Sequence, residues 1–163
     1  MASKTAVLVP SIIVAFAVGA LGLAFIPTDI KNRQTDFPQG IVRIGHDIIK
    51  VEIAKSNAEK QRWLMFRVEK MPLDSAMILV YEKPDLYAMW LLNIDYNLDL
   101  MWFDGAGNLV YKVKDGHRCT NTFDASDCTY KNTVPAKYVI AATSGFIDKH
   151  RITKESTLTI TSI

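Results

Sequence analysis

The chain lacks most of the features that identify an enzyme or a nucleic-acid-binding protein. It has only two cysteines among 163 residues, and no blocks of like charge, repeats or low-complexity tracts. The net charge of +2 comes without a basic stripe, which argues against a nucleic-acid partner. There is no G-x-S-x-G motif, no phosphate-binding glycine loop and no H-x-x-x-H pair. The sequence therefore predicts no cofactor and no metal site, and it favours a non-catalytic protein.

A long apolar run is present near the start of the chain. Residues 6–26 read AVLVPSIIVAFAVGALGLAFI and carry no charged side chain. A helix of about 21 residues spans roughly 30 Å, which matches the hydrocarbon layer of a bilayer. The sequence predicts a transmembrane helix over residues 6–26 in contact with membrane lipid, preceded by a short cytoplasmic N-terminus at residues 1–5.

Two interpretations of this run stay open, an uncleaved signal-anchor and a cleaved signal peptide. A signal peptide has a shorter apolar core and small residues at its end, whereas this run ends in Phe25-Ile26-Pro27, so the signal-anchor is favoured. Basic residues on the two flanks do not decide the orientation. Two cysteines in a polar stretch suit an oxidising compartment, so we expect a single-pass protein whose domain lies outside the cytoplasm.

The remaining chain is long enough for one domain with a substantial core. Residues 27–40 are polar with two prolines and read as a linker, and residues 41–163 read as a β-rich domain. Several short strands with one or two short helices favour a single jelly-roll-like sandwich or a partly open barrel.

Local patterns place the elements. Residues 41–53 predict a hairpin, and Ser56 with Glu59 forms a capping box that opens a helix to about Phe66, with Trp63, Leu64 and Phe66 facing a sheet. A polar loop containing both cysteines is expected at residues 115–135, and a helical turn at 146–150. Further strands are predicted over residues 76–81 and 87–92, separated by Lys83-Pro84-Asp85, and over residues 98–103 and 109–114, joined by a hairpin turn at residues 104–108. Closing strands are predicted over residues 138–142 and 158–163.

The most suggestive polar group combines Trp90, Asn93 and Asp99. An amide and a carboxylate beside an indole face suit a polar ligand such as a sugar or a peptide end. The alternative is structural, with Asn93 and Asp99 satisfying backbone groups and Trp90 packed in the core. Arg67 is a fourth candidate, either for a carboxylate ligand or for a salt bridge to Asp99 or Glu69.

The cysteines allow two interpretations. Cys119 and Cys128 are expected to close a small disulfide loop. The alternative is a redox-active or metal-binding pair with His117, although eight intervening residues match neither C-x-x-C nor the usual finger spacing.

Several segments, taken in order along the chain, carry a family resemblance. They are Val51-Glu52-Ile53-Ala54, Trp63-Leu64-Met65-Phe66-Arg67, residues 76–80, Trp90-Leu91-Leu92-Asn93, Leu98-Asp99, Asp104-Gly105, the two cysteines, Lys137-Tyr138-Val139 and Ser144-Gly145. Over about residues 48–161 the chain resembles the domain of unknown function 192 family. The resemblance implies a compact, often exported, β-rich domain of jelly-roll-like type, and it implies no reaction.

The chain departs from the pattern of that family at several positions. Trp63 replaces a usual glycine, Leu92 and Ile94 replace a lysine and a threonine after the tryptophan, Asn97 replaces a common proline, and Lys154-Glu155 replaces Gly-Asp. If the lysine and threonine line a polar site in the family, that site is more apolar here.

Three functions follow as hypotheses. The leading one is a membrane-anchored binding domain or an accessory subunit of a membrane complex, which contacts other membrane subunits or a small polar ligand. The second is a cell-envelope hydrolase that uses Asp99 and Asn93. The third is a metal- or redox-handling domain built on Cys119 and Cys128.

Overall fold

The computed structural model describes residues 37–120 and 125–163, and residues 36–163 form one compact unit. The predicted transmembrane helix over residues 6–26 and most of the predicted linker lie outside the described residues. Within the described part, no helix has both the length and the apolar character needed to cross a bilayer.

Nine strands and two short α-helices make up the described domain. The strands are β1 (Gln39–Ile44), β2 (Asp47–Ala54), β3 (Ser75–Asp85), β4 (Ala88–Trp90), β5 (Leu98–Phe103), β6 (Leu109–Gly116), β7 (Thr129–Lys131), β8 (Ala136–Thr143) and β9 (Leu158–Ser162). The helices are α1 (Asn57–Arg62) and α2 (Phe146–Lys149), and a 3-10 turn covers Ala125–Cys128.

Seven strands form one mixed sheet in the order β6-β5-β8-β3-β2-β1-β9, and β4 pairs with β7 in a second, two-stranded sheet. Strands β2 and β3 are parallel, with Lys50 opposite Ser75, and their connection carries α1. A parallel pair needs such a crossover because a tight turn can join only antiparallel strands. The expectation of a mostly β domain with one or two short helices is confirmed.

The large sheet has an apolar core on each face, which explains the uninterrupted apolar strands near its centre. All six residues of β5 are buried. Because side chains alternate along a strand, Leu98, Leu100 and Trp102 lie in one core while Met101 and Phe103 lie in the other. The first core is covered by β4, β7 and the loops at residues 63–71 and 91–97, and we call it the loop-side core. The second is covered by α2 and β9, and we call it the α2-side core.

The two ends of the large sheet approach each other without closing into a barrel. Asn108 and Thr157 form an isolated antiparallel bridge, and Leu158 donates its N–H to the Gly107 carbonyl at 2.7 Å. A side chain at Gly107 would collide with the Leu158 carbonyl, and Gly107 also has a positive φ of 87°. Glycine is therefore required where the sheet ends meet.

The predicted capping box is present, since Ser56 accepts from the Glu59 N–H and Glu59 accepts from the Ser56 N–H. The helix ends at Arg62 and does not reach Phe66. At Trp63 the backbone leaves the helical region (φ 25°), so the helical spacing no longer applies beyond it. Trp63 is buried as expected, whereas the expectation that Phe66 faces the sheet is wrong, because 67% of this residue is exposed.

Two other expectations need correction. Strand β3 continues through Lys83 and Pro84 to Asp85, which were expected to separate two strands. The predicted strand at residues 87–92 is reduced to β4, whose partner β7 lies inside the stretch at 115–135 that was expected to be a loop. β7 has only three residues and a polar sequence, so it gives no strand signal of its own. It forms only by pairing with β4.

Candidate functional site

The predicted disulfide between Cys119 and Cys128 is present. It holds its loop against the end of β4, because Leu91 donates its N–H to the Cys128 carbonyl at 3.0 Å and accepts from the Cys119 N–H at 3.1 Å. Leu91 itself is fully buried. The segment that carries Trp90 and Asn93 is thus fixed on one side by the disulfide loop.

Trp90 lies at the end of β4 with 42% of its surface exposed. In this strand Met89 points into the loop-side core, so Ala88 and Trp90 point outward. The alternative that placed Trp90 in the core therefore does not describe this residue. Its indole is available for contact with another molecule.

Asn93 and Phe66 connect the two loops on this side of the domain. The Phe66 N–H donates to the Asn93 carbonyl at 2.7 Å, and both residues have positive φ, 62° for Phe66 and 54° for Asn93. The left-handed region is unfavourable for residues with a Cβ and is often retained near functional sites. The Asn93 side chain is exposed, and no partner is found for its amide within residues 37–120 and 125–163.

Arg67 pairs with Glu52 of β2, and neither Asp99 nor Glu69 is its partner. Arg67 Nη1 donates to Glu52 Oε1 at 3.0 Å, and Nη2 donates to Glu52 Oε2, so the ion pair has two parallel hydrogen bonds. Both side chains are largely shielded from solvent. The pair links the loop after α1 to β2, an interior strand of the large sheet, and leaves the local charge balanced.

The sequence does not predict Tyr96 as a site residue. It lies close enough to the Arg67–Glu52 pair for both charges to affect the pKa of its phenol. The residue is buried, and its hydroxyl makes no hydrogen bond of normal geometry within the described residues. Burial raises the pKa of the Tyr96 phenol, while Arg67 and the nearby Met71 backbone act in the opposite direction. A buried hydroxyl without a well-formed hydrogen bond is uncommon in a folded protein. A single tyrosine in this loop gives no signal in the sequence that its hydroxyl is buried without a well-formed hydrogen bond.

Asp99 is fully buried and organises backbone groups. Its Oδ1 accepts from the Asp115 N–H at 2.8 Å, and its Oδ2 accepts from Gly145 at 3.1 Å and Ile147 at 2.8 Å. Ile147 belongs to the α2-side core, whereas Trp90 and Asn93 flank Leu91 of the loop-side core. The structure therefore places Asp99 and the other three candidates on opposite faces of the large sheet.

A second polar cluster lies at the surface beyond Asp99. Asp115, with a positive φ of 53°, accepts from Ser144 Oγ at 2.6 Å and from Asn97 Nδ2 at 3.1 Å. These two hydrogen bonds, that of Ser144 first, lower the pKa of Asp115. His117 lies 3.2 Å from the same amide nitrogen of Asn97. Among the described residues, no group of three or more His, Cys, Asp or Glu side chains is placed to hold a metal ion.

Two solved structures are similar in fold to this chain. A proposed transcription regulator from Sinorhizobium meliloti superposes with a TM-score of 0.69 at 17% identity, over 78% of this chain and 97% of that one. A protein of unknown function from Novosphingobium aromaticivorans gives a TM-score of 0.68 at 17% identity, over 78% of this chain and 89% of that one. At this identity the similarity demonstrates a shared fold alone.

A comparison of the sequence with curated proteins finds no match. A family model does match. The model of DUF192, the domain of unknown function 192, described as “Uncharacterized ACR”, aligns with residues 40–160, which include every strand except the first residue of β1 and the last two of β9. The match confirms the resemblance seen in the sequence, and the chain belongs to the DUF192 family.

Proposed function

We propose that this protein is a membrane-anchored, extracytoplasmic, non-catalytic domain that binds a small polar ligand or serves as an accessory subunit of a membrane complex. The binding surface consists of Trp90, Asn93 and Arg67, with Tyr96 beneath them, and we call it the loop surface. Residues 6–26 form the proposed anchor.

One observation carries the proposal. The segment from Trp90 to Asn93 is hydrogen-bonded through its backbone to the disulfide loop on one side and to Phe66 on the other, while the side chains of Trp90 and Asn93 stay exposed. Loops held rigidly by their backbone, with polar and aromatic side chains left outward, are typical of binding surfaces.

The disulfide supports the proposed location, because such bonds persist in oxidising compartments. We also propose that the curved large sheet is a partly open barrel of jelly-roll-like type. The bridge between Asn108 and Thr157 supports this description, since it joins the two ends of the sheet at one point.

The two alternative functions receive less support. A hydrolase that uses Asp99 needs this carboxylate to reach a substrate, whereas it is buried and accepts three backbone N–H groups. A metal site on Cys119 and Cys128 needs free thiolates, whereas these cysteines are bonded to each other here. A redox role is compatible with the disulfide, but eight intervening residues do not match the C-x-x-C spacing of redox-active pairs.

The test is quantitative co-purification of the full chain from its own membranes in mild detergent. We expect a stoichiometric partner or ligand that Trp90→Ala reduces several-fold and that Leu86→Ala leaves unchanged. Leu86 is a matched control because it is 39% exposed, close to the 42% of Trp90, and lies in the connection between β3 and β4. A solitary monomer without ligand, identical in both variants, would contradict the proposal.

A third variant separates a binding role of Asn93 from a backbone role. Glycine adopts the left-handed conformation without strain, so Asn93→Gly keeps the loop while removing the amide. Loss of the partner in Asn93→Gly at unchanged thermal stability assigns the side chain to binding. Retained binding means that the position matters only for its backbone.

A further inference from the structure

The loop at residues 63–71 exposes two large apolar side chains, one on each side of Arg67 in the sequence. Phe66 is 67% exposed and Val68 is 79% exposed, and they flank the largely shielded Arg67. Val68 is the most exposed large hydrophobic residue of the described domain. Two large apolar side chains this exposed within three residues are a candidate interaction site.

This loop lies at the end of the domain where the chain enters it. Gln39, at the start of β1, is paired with Glu52 of β2, and the Ile53 N–H donates to the Pro38 carbonyl at 2.8 Å. Glu52 in turn holds Arg67 through two hydrogen bonds. The apolar loop and the entry point of the chain are therefore both tied to Glu52 of β2.

The length of the preceding segment limits how far this end can lie from a bilayer. Ten residues, 27–36, separate the proposed anchor from Phe37, the first described residue. A flexible chain of that length has a root-mean-square span of about 17 Å and a maximum of roughly 36 Å. An anchor at residues 6–26 would therefore limit the distance between the entry end of the domain and the bilayer to roughly 36 Å.

The charge around the loop also suits a bilayer that contains anionic lipid. Residues 52–70 contain five basic and three acidic side chains, and Lys55 and Lys70 are exposed. One of the acidic groups, Glu59, is engaged in the capping box, and another, Glu52, is engaged with Arg67. Exposed apolar residues combined with lysines are typical of segments that lie in the membrane interface.

We infer that the loop at residues 63–71 docks on the membrane, with Phe66 and Val68 inserted among the lipid headgroups. This inference rests on the proposed anchor, because the anchor brings the entry end of the domain to the lipid. This contact would give the domain one orientation relative to the membrane plane. Trp90 and the disulfide loop would then always face the same direction.

The test uses the full chain in vesicles that contain anionic lipid, with a nitroxide attached at Val68→Cys. Both native cysteines are in the disulfide, so the added thiol is the one that reacts. The matched control is Ile48→Cys. Ile48 is as exposed as Phe66, at 67%, and lies at the opposite end of β2 from Ala54. We expect oxygen to relax the label at position 68 several-fold more than a water-soluble nickel complex does, and the reverse at position 48.

Each outcome decides one point. A label at position 68 that is as open to the nickel complex as the label at position 48, in a chain that floats with the vesicles, overturns the loop contact and leaves the anchor intact. A chain that does not float overturns the anchor itself. A label shielded from both reagents in a dimeric chain means that a second copy covers the loop, which also contradicts the inference. If Val68→Cys fails to fold, Phe66→Cys carries the label.

Discussion

Asp99 Oδ2 accepts a hydrogen bond from the backbone N–H of Ile147 at 2.8 Å, although the two residues are 48 positions apart in the chain. The same carboxylate also accepts from Gly145 and Asp115. One buried side chain therefore fixes where β6 ends and where α2 begins. Asp99 thus has a structural role that does not require contact with a substrate.

The first prediction concerns this carboxylate. Asp99→Asn places an amide N–H₂ against backbone donors, so at least one buried N–H loses its acceptor. We expect the free energy of unfolding to fall by about 2–3 kcal/mol, measured by urea denaturation followed by circular dichroism. Asp95→Asn, at an exposed position, should leave stability unchanged. Unaltered stability of Asp99→Asn would contradict the structural role.

The second prediction concerns the ion pair of Glu52 and Arg67, tested by a double-mutant cycle with Glu52→Gln and Arg67→Met. Because both groups are shielded and the hydrogen bonds are paired, we expect each single variant to lose roughly 1–3 kcal/mol and the coupling energy to be about 1–2 kcal/mol. The exposed pair of Lys114 and Asp148 serves as control, and its coupling should lie within experimental error. Equal coupling in the two cycles would argue against the special position of Arg67.

The third prediction concerns the disulfide. Replacing Cys119 and Cys128 together by serine removes a cross-link that closes a loop of about 10 residues, for which chain entropy gives roughly 2.7 kcal/mol. The thermal midpoint should fall, and reduction of the native chain should lower it by a similar amount. We also expect faster amide exchange at Leu91, which is hydrogen-bonded to both cysteines. Unchanged exchange there would mean that the loop does not depend on its cross-link.

The fourth prediction concerns alkaline pH. Burial of the Tyr81 phenol, with a smaller contribution from Tyr87, raises its pKa from 10.0 to about 12. The unfolded chain loses this proton near pH 10, so the stabilisation is complete below pH 10 and disappears as the pH rises through 12. Stability should therefore fall between pH 10 and 12, and Tyr81→Phe should flatten this part of the profile. Denaturation curves collected across that range, with phenolate absorbance as a second readout, provide the check.

Elements that depend on neighbouring residues could be predicted from the sequence. The capping box of Ser56 and Glu59, the β1–β2 hairpin and the turn that follows Asp104 all arise within a few residues, and all are present. The disulfide was also predictable, because two cysteines leave a single intramolecular pairing.

Features that depend on distant residues could not be predicted. The sequence offers several carboxylates as partners for Arg67. The fold, in which β2 pairs in parallel with β3, brings Glu52 of β2 to Arg67. Asp99 was grouped with Trp90 because they are close in sequence, but alternation along β5 directs its side chain to the other face of the sheet. Helical spacing places Phe66 on the buried face of a helix, but the helix ends four residues earlier at Arg62. No local sequence feature marks the change of backbone direction at Trp63.

The antiparallel pairing of β1 with β9 places Ile41 opposite Ser162, so the polypeptide arrives at and departs from the domain at adjacent strands. Because its two ends lie on adjacent strands, the domain could be inserted into one surface loop of another protein. The arrangement also guides the choice of reporter position. A fluorescent tag fused after Ile163 sits on the side where β1 begins, whereas one inserted in the turn at Gly45-His46 lies at the opposite end of β1.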